Sequence, residues 1–377
     1  MNLRVIDLKG EPNYDTIKKN PDTSCPAISC GVSYAVSSIL CRILERSLRD
    51  MSEYDIIRRF SEAFRRSPLQ ENGLFECDSE LIRIGDQLWA LTMDEFTPEE
   101  DLFTSDDPEA LGANLAVATL SDLLAAGATP AWFMHSVSLP KAADSTFISG
   151  LSAGISSVLS EANCSLCGGD IGGADTWRFC GFAMGAVQEN KPLTRIMPCE
   201  PQTLWITGTL GDANLAALSG SPTPRFELWL EEAEAIRRSA TACIDTSGGF
   251  FDALWMLHSL NPHLRFEIDL DRLPIAPGVR EAARAAGFPV EAALLGGAGE
   301  YELLFALPAG LVNPGIDATY VGAVQPDSEP GIVIYRDGNQ VNRVIQPPPC
   351  PRDAATIVDH IQEVMAMAHQ LVSEAIG

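Results

Sequence analysis

Basic residues are scarce in this chain. Lysine and arginine together number 26 against 51 acidic residues, which leaves a formal charge of −25 over 377 residues. So acidic a surface repels nucleic-acid phosphates and anionic lipid, and neither is an expected partner. Histidine is scarcer still. The five (His135, His258, His263, His360 and His369) show no metal-ligand spacing, and His135, inside an apolar segment, reads as a satisfied core residue. Long apolar runs are missing: Cys30 to Leu44 is too short to span a bilayer and carries Arg42. The opening MNLRVIDLKGEPNYD has no basic stretch leading into an apolar core, so no secretory leader is read and a cytoplasmic location is expected. Ten cysteines are scattered without a disulfide framework, as reduced thiols are. Cys164 and Cys167 have CxxC spacing, but no second CxxC completes a zinc site, and the pair reads as buried structural thiols.

Signature loops of the widespread enzyme folds are absent too. The chain has no Walker sequence, no GxGxxG, no kinase-type catalytic loop and no GxSxG elbow. What is present is a length that one hydrophobic core does not normally support, so two domains are expected. Residues 1–50 read as an N-terminal extension with a helix-compatible segment from Ser33 to Leu48. A helix is expected from Tyr54 to Phe64 with Ile56, Ile57 and Phe60 on one face, then strands at Leu81 to Ile84 and Leu88 to Met93. The Ala- and Leu-rich segment Glu109 to Ala126 predicts a helix closed by Gly127. A strand at Trp132 to Leu139, a helix at Asp144 to Ala162 and a strand at Phe179 to Val187 complete a first α+β half, residues 51–190. The pattern restarts in residues 191–346, with strands expected at Leu204 to Thr207, Ala242 to Asp245, Leu303 to Leu307 and Thr319 to Val324. Residues 347–377 hold a proline-rich hinge and a helix whose apolar stripe runs through Ile357, Ile361, Val364, Met365, Ala368 and Leu371.

One local feature recurs: an aspartate beside glycine or at the end of an apolar strand. It appears in Thr92-Met93-Asp94, Ser121-Asp122, Gly168-Gly169-Asp170, Gly211-Asp212 and Asp245-Thr246-Ser247-Gly248-Gly249. Each alone is an ordinary turn. Repeated, they suit phosphoryl transfer, which needs cations to neutralise phosphate charge and groups to position it. Carboxylates converging from several loops would hold Mg²⁺, and glycine lets backbone approach phosphate oxygens.

In order, these segments resemble thiamine-monophosphate kinase, in the superfamily of aminoimidazole ribonucleotide synthetase, selenophosphate synthetase and a hydrogenase maturation factor. Ser52-Glu53-Tyr54-Asp55-Ile56-Ile57 is similar to that family's GEFDLI, Thr92-Met93-Asp94 to TTD, and Thr119-Leu120-Ser121-Asp122 to NLSD. Gly168-Gly169-Asp170 resembles the start of GGDT, Thr207 to Ala213 matches TGTLGDA, and Tyr301 to Phe305 matches the end of GGDDYELLF. The resemblance implies a two-domain α+β fold of the aminoimidazole ribonucleotide synthetase type: an N-terminal sheet domain that binds ATP and forms a homodimer, and a C-terminal α/β domain. It implies Mg²⁺ on Asp78, Asp94, Asp122, Asp170, Asp212 and Asp245, with Asp94, Asp122, Asp170 and Asp245 as the catalytic set. Thr92, Gly169, Asp170, Arg195 and Ser247 would touch the nucleotide, and Glu300 and Glu302 the substrate.

The chain departs from the family at defined places. GDDAAV becomes Glu76-Cys77-Asp78-Ser79-Glu80-Leu81, with one aspartate of two. VEGVHF, whose histidine contacts thiamine phosphate, becomes Thr97-Pro98-Glu99-Glu100-Asp101-Leu102. DxSDG becomes Asp245 to Gly249 without its second aspartate, and GGDDYE becomes Gly297-Ala298-Gly299-Glu300-Tyr301-Glu302. Three readings are open: an ATP-dependent phosphotransferase acting on thiamine phosphate or another small phosphorylated acceptor; a catalytically weakened nucleotide-binding scaffold or regulator; and an ATP-dependent synthetase or cyclase of the same superfamily.

Overall fold

The computed structural model describes residues 53–98, 107–311, 313, 315–344, 362, 364–369 and 371. The helix expected from Ser33 to Leu48 lies outside the described residues, as do Glu99, Glu100, Asp101 and the proline-rich hinge. No helix among the described residues is long and apolar enough to cross a membrane.

The first half is a sheet backed by two helices. Helix α1 (Glu53–Ala63) leads into β1 (Glu80–Ile84) and β2 (Gln87–Phe96), followed by α2 (Pro108–Ala125), β3 (Ala128–Pro140), α3 (Ser145–Glu161), β4 (Ser165–Ala174) and β5 (Arg178–Val187). The five strands lie in the order β1-β2-β5-β3-β4, antiparallel except for β3 beside β4. Asp107 caps α2 by accepting from the Glu109 N–H (3.0 Å), and Pro108 occupies the first turn, where a missing N–H costs nothing. Fourteen of its eighteen residues are buried, because it lies between the sheet and α3 and also touches β7. That all-round burial explains a helix with almost no polar face. The α2–α3 crossing is set by glycine: a Cβ on Gly154 would stand 2.0 Å from the Glu109 carbonyl oxygen, and one on Gly112 2.1 Å from that of Leu151.

The second half carries β6 (Gln202–Thr207), α4 (Asp212–Ser219), α5 (Leu230–Ser239), β7 (Ala242–Asp245), α6 (Phe250–Leu260), β8 (Leu264–Asp269), α7 (Val279–Ala286), α8 (Ala292–Leu295), β9 (Leu303–Pro308), β10 (Ala318–Pro326), β11 (Gly331–Arg336) and β12 (Asn339–Val344). Its seven strands run β12-β11-β8-β10-β6-β9-β7, with β8 and β11 parallel and the other pairs antiparallel. Two apolar cores form: one joins the first sheet and its helices to Cys243, Leu303, Phe305 and Leu307 on β7 and β9, and the other lies within the second half around Leu204, Ile206, Phe266 and Ile268. Val364, Ala368 and Leu371 of the C-terminal segment are buried in the second, as the apolar stripe predicts.

Two expectations fail here. Gly168-Gly169-Asp170 is not a turn but the middle of β4, the edge strand, paired in register with Met134, His135 and Ser136. Glycines suit this edge because the neighbouring strand carries a ring: a Cβ on Gly169 would lie 2.6 Å from His135 Cε1. In α1, Ile57 and Phe60 are exposed, and the helix is held instead by Tyr54 packed against the second core.

Candidate metal and phosphate site

Strand alternation sends Leu88, Ala90, Thr92, Asp94 and Phe96 to the inner face of β2, the face that α2 covers. Asp122, in the last turn of α2, comes up against this face, and the Thr92 hydroxyl donates to its Oδ2. Asp78, just before β1, and Asp245, the last residue of β7, complete the group. One carboxylate oxygen from each of Asp78, Asp122 and Asp245 lies within 4.8 Å of the others. Asp94 adds its charge from β2, since it is a main reason, after burial, that the Asp122 carboxyl stands well above the usual carboxylate range.

The group is expensive to fold. Burial pushes the Asp78 carboxyl up to about 6, against the pull of Arg195. Arg195 Nη2 contacts Asp78 Oδ1 at 2.5 Å, while its Nη1 donates to the Phe75 carbonyl at 3.2 Å. Asn261, which sequence reasoning missed, fixes this arginine: its buried amide donates to the Arg195 carbonyl (2.8 Å) and its oxygen accepts from the Met197 N–H (2.8 Å). No periodic or motif signal marks it. Asp78 Oδ2 and Asp245 Oδ2 lack hydrogen-bond partners in the interior. Orphaned buried oxygens on converging carboxylates fit a hard divalent cation, whose charge would offset both the repulsion and the lost hydration. Cys77, beside Asp78, does not join them. Its thiol turns to the Leu193 carbonyl (3.3 Å), and burial pushes it up to about 12, so it supplies no thiolate ligand.

A second acidic group lies across the 245–247 segment. Asp212 opens α4, with its carboxyl raised chiefly by burial. Glu300 and Glu302, expected to meet substrate, are buried and turned onto the TGTLGDA segment instead. Glu300 Oε1 accepts from the Gly211 N–H, and Glu302 accepts from the Thr207 hydroxyl (2.6 Å) and the Thr209 N–H (3.3 Å). These amides would otherwise have no partner in a turn that Gly208 and Gly211 take with positive φ. Burial raises Glu302 to about 8 and Glu300 well above its ordinary value. Thr246, fully buried and also missed from the sequence, joins the two groups. Its N–H donates to the Glu302 carbonyl (2.9 Å), and its hydroxyl accepts from the Glu302 N–H (3.0 Å).

The remaining sequence candidates lie elsewhere. Ser247 is exposed on the loop after Asp245 and donates its N–H to Asp245 Oδ1 (3.2 Å). Gly169 and Asp170 are exposed on the edge strand, outside the group of Asp78, Asp122 and Asp245. His135 is not a satisfied core residue: it is half-buried, stacks on Phe179, and its Nδ1 has no partner. Of the CxxC pair only Cys164 is buried; Cys167 is exposed.

Comparison with known proteins agrees with this architecture. Residues 77–187 match the family model "AIR synthase related protein, N-terminal domain". Over 299 residues the chain is 29% identical to thiamine-monophosphate kinase of Pyrococcus horikoshii, spanning 76% of this chain and 92% of that one. It is 27% identical over 322 residues to the Escherichia coli K12 enzyme of the same name, at 77% and 95%. Among solved structures, "AaThiL complexed with AMPPCP and TMP" superposes with a TM-score of 0.65 at 22% identity, covering 77% of this chain and 95% of that one. The hydrogenase maturation protein HypE of E. coli gives 0.59 at 21% identity, covering 79% and 98%. The chain is thus similar to thiamine-monophosphate kinases over about three quarters of its length, and its residues 77–187 match the AIR synthase related N-terminal domain.

Proposed function

We propose that this protein is a divalent-metal-dependent kinase that transfers a phosphoryl group from ATP to thiamine phosphate or another small phosphorylated acceptor. The observation that carries this reading is the set of Asp78, Asp122 and Asp245, with two carboxylate oxygens buried and unpartnered. A structural role gives no reason to bury repelling carboxylates, whereas a phosphoryl-transfer site needs them. The names of the relatives, and the nucleotide analogue and TMP in one solved neighbour, point the same way. Asp78, Asp94, Asp122 and Asp245 would hold Mg²⁺, with Asp212 a further candidate. The bound ion would neutralise charge on the phosphate oxygens. Arg195 and Thr92 fix the orientation of Asp78 and Asp122, and Glu300 and Glu302 brace the backbone of the 207–213 loop that would face the acceptor.

We also propose that two copies assemble through the outer face of the first sheet. Met93, Trp132 and Met134 stand exposed on that face, with Trp132 stacked on Trp89 (5.0 Å). Residues 51–190 and 191–346 would be the two domains of each copy, with 1–50 and 347–377 as additions.

A second reading, a weakened nucleotide-binding relative, is favoured by Gly248 and Cys77 at positions acidic in the family. One experiment separates the two. Calorimetry with ATP should show binding that disappears with EDTA and weakens by about tenfold or more in Asp122→Asn, which keeps shape and removes charge. Equal affinity with and without metal would refute the kinase reading. Metal-dependent binding without turnover of thiamine phosphate or other small phosphates would favour the scaffold.

A further inference from the structure

Arg195 meets Asp78 at a single point, although a guanidinium often grips both oxygens of a carboxylate. Its Nη2 lies 2.5 Å from Asp78 Oδ1, while Asp78 Oδ2 is buried without a partner. The backbone of Arg195 leaves little to adjust. Its N–H donates to the Glu76 carbonyl (2.7 Å), and its carbonyl accepts from the Asn261 amide (2.8 Å). What turns the fork aside is the Phe75 carbonyl, which accepts from Nη1 at 3.2 Å. Nε, the other nitrogen that could complete a two-point grip, is buried without a partner.

Phe75 presents that carbonyl from a strained backbone. Its φ is 65°, in the left-handed region that glycine takes freely and a bulky residue avoids. A ring at this position costs conformational energy that glycine would not, and the contact it makes offsets that cost. The Phe75 ring meets Tyr54 edge-on, with centroids 5.5 Å apart and planes at 88°. Tyr54 stands at the start of α1. Its ring lies 5.1 Å from Trp255 of α6, and its hydroxyl donates to Asp252 Oδ2 at 2.6 Å. Tyr54 is therefore fixed on the second half, and Phe75 is fixed against Tyr54.

We infer that Tyr54 is a positioning residue for the cation site: through Phe75 it holds Arg195 Nη1 away from Asp78, and so keeps Asp78 Oδ2 free for the divalent ion. The inference rests on the metal-dependent reading above and deepens it, because it says why the buried ion pair stops at one contact. Without the Tyr54 ring, the Phe75 carbonyl leaves its strained position. Nη1 then turns to a buried acceptor that lacks a partner, Asp78 Oδ2. The closed fork competes with the cation for that oxygen.

The test is the Mg²⁺ concentration that half-saturates ATP binding, measured by calorimetry on the full chain, with thermal melting as the folding control. Tyr54→Ala should raise it by about tenfold, and excess Mg²⁺ should restore ATP binding to the parent level. Tyr54→Phe keeps the ring and loses only its hydroxyl anchor, so it should recover most of that loss. Phe75→Gly takes the turn without strain but has no ring to be held. It should match Tyr54→Ala, and it serves where that variant fails to fold. Lysine has no fork, so in an Arg195→Lys background Tyr54→Ala should shift the Mg²⁺ requirement by less than about twofold. An unchanged Mg²⁺ requirement in folded Tyr54→Ala or Phe75→Gly protein would overturn the inference and leave the kinase reading intact. So would an undiminished shift in the Arg195→Lys background, since Tyr54 would then act by another route. Parent protein that fails to bind ATP, or binds it without metal, would refute both.

Discussion

Glu302, expected from the sequence to touch substrate, is turned into the fold in the structure. The similarity of Tyr301 to Phe305 to GGDDYELLF marks it out, but the side chain serves the fold, bonded to Thr207 and Thr209. Its raised value, about 8 against an ordinary 4.5, has a definite sign for stability. A carboxyl raised on folding contributes stability fully present below its unfolded value and lost as pH rises through its folded value. The metal-free protein should therefore weaken between about pH 4.5 and pH 8. Glu302→Gln, which cannot ionise, should escape that decline. Urea unfolding near pH 5 and near pH 9 should show the variant gaining on the parent by on the order of a few kcal/mol at the higher pH. A constant difference between variant and parent would show that Glu302 does not titrate in this window.

At the scale of elements, periodicity located most of the structure and failed where side chains were small. Strand β7 has the expected bounds, and α2 differs from its expected range by one residue at each end. Strand β4 was hidden, because Cys-Gly-Gly-Asp-Ile-Gly-Gly lacks the alternating apolar side chains that announce a strand. What makes it a strand is its neighbour β3, which supplies the backbone partners, and that neighbour is visible only in three dimensions. The same small residues build the α2–α3 crossing. Gly154→Ala would force a methyl group against the Glu109 carbonyl and should cost about 1–3 kcal/mol, read as a lower midpoint in chemical denaturation. An unchanged midpoint would mean that the helices are not in backbone contact there.

For the molecule as a whole, charge and apolar surface oppose one another. A formal charge of −25 drives copies apart, whereas the outer sheet face, with Met93 68% and Met134 44% exposed, would draw them together in the proposed dimer. Sedimentation should find a dimer that dissociates in Met134→Glu, where a further negative charge is placed in the face. Added salt should strengthen the parent dimer by screening the like charges. A monomeric parent at all salt concentrations would remove the proposed interface.

The sequence by itself determined the class of the protein. Its strand and helix periods, the ordered aspartate-bearing segments and the missing loops of other nucleotide folds depend on local pattern and order, which a linear text carries. It also marked Asp78, Asp122 and Asp245, because each sits in a segment similar to the family's. Only the tertiary structure decided which carboxylates meet. Asp78, Asp122 and Asp245 converge from a loop, a helix end and a strand end, while Asp170 is carried off on an edge strand. Sequence order likewise hides the pairing of Tyr54 with Asp252, 198 positions apart, and the use of Thr246 and Asn261 as braces. The physical reason is common to all of these. A hydrogen bond or a repulsion between carboxylates depends on distance and burial, and those are set when sheets and helices pack, not by neighbours along the chain.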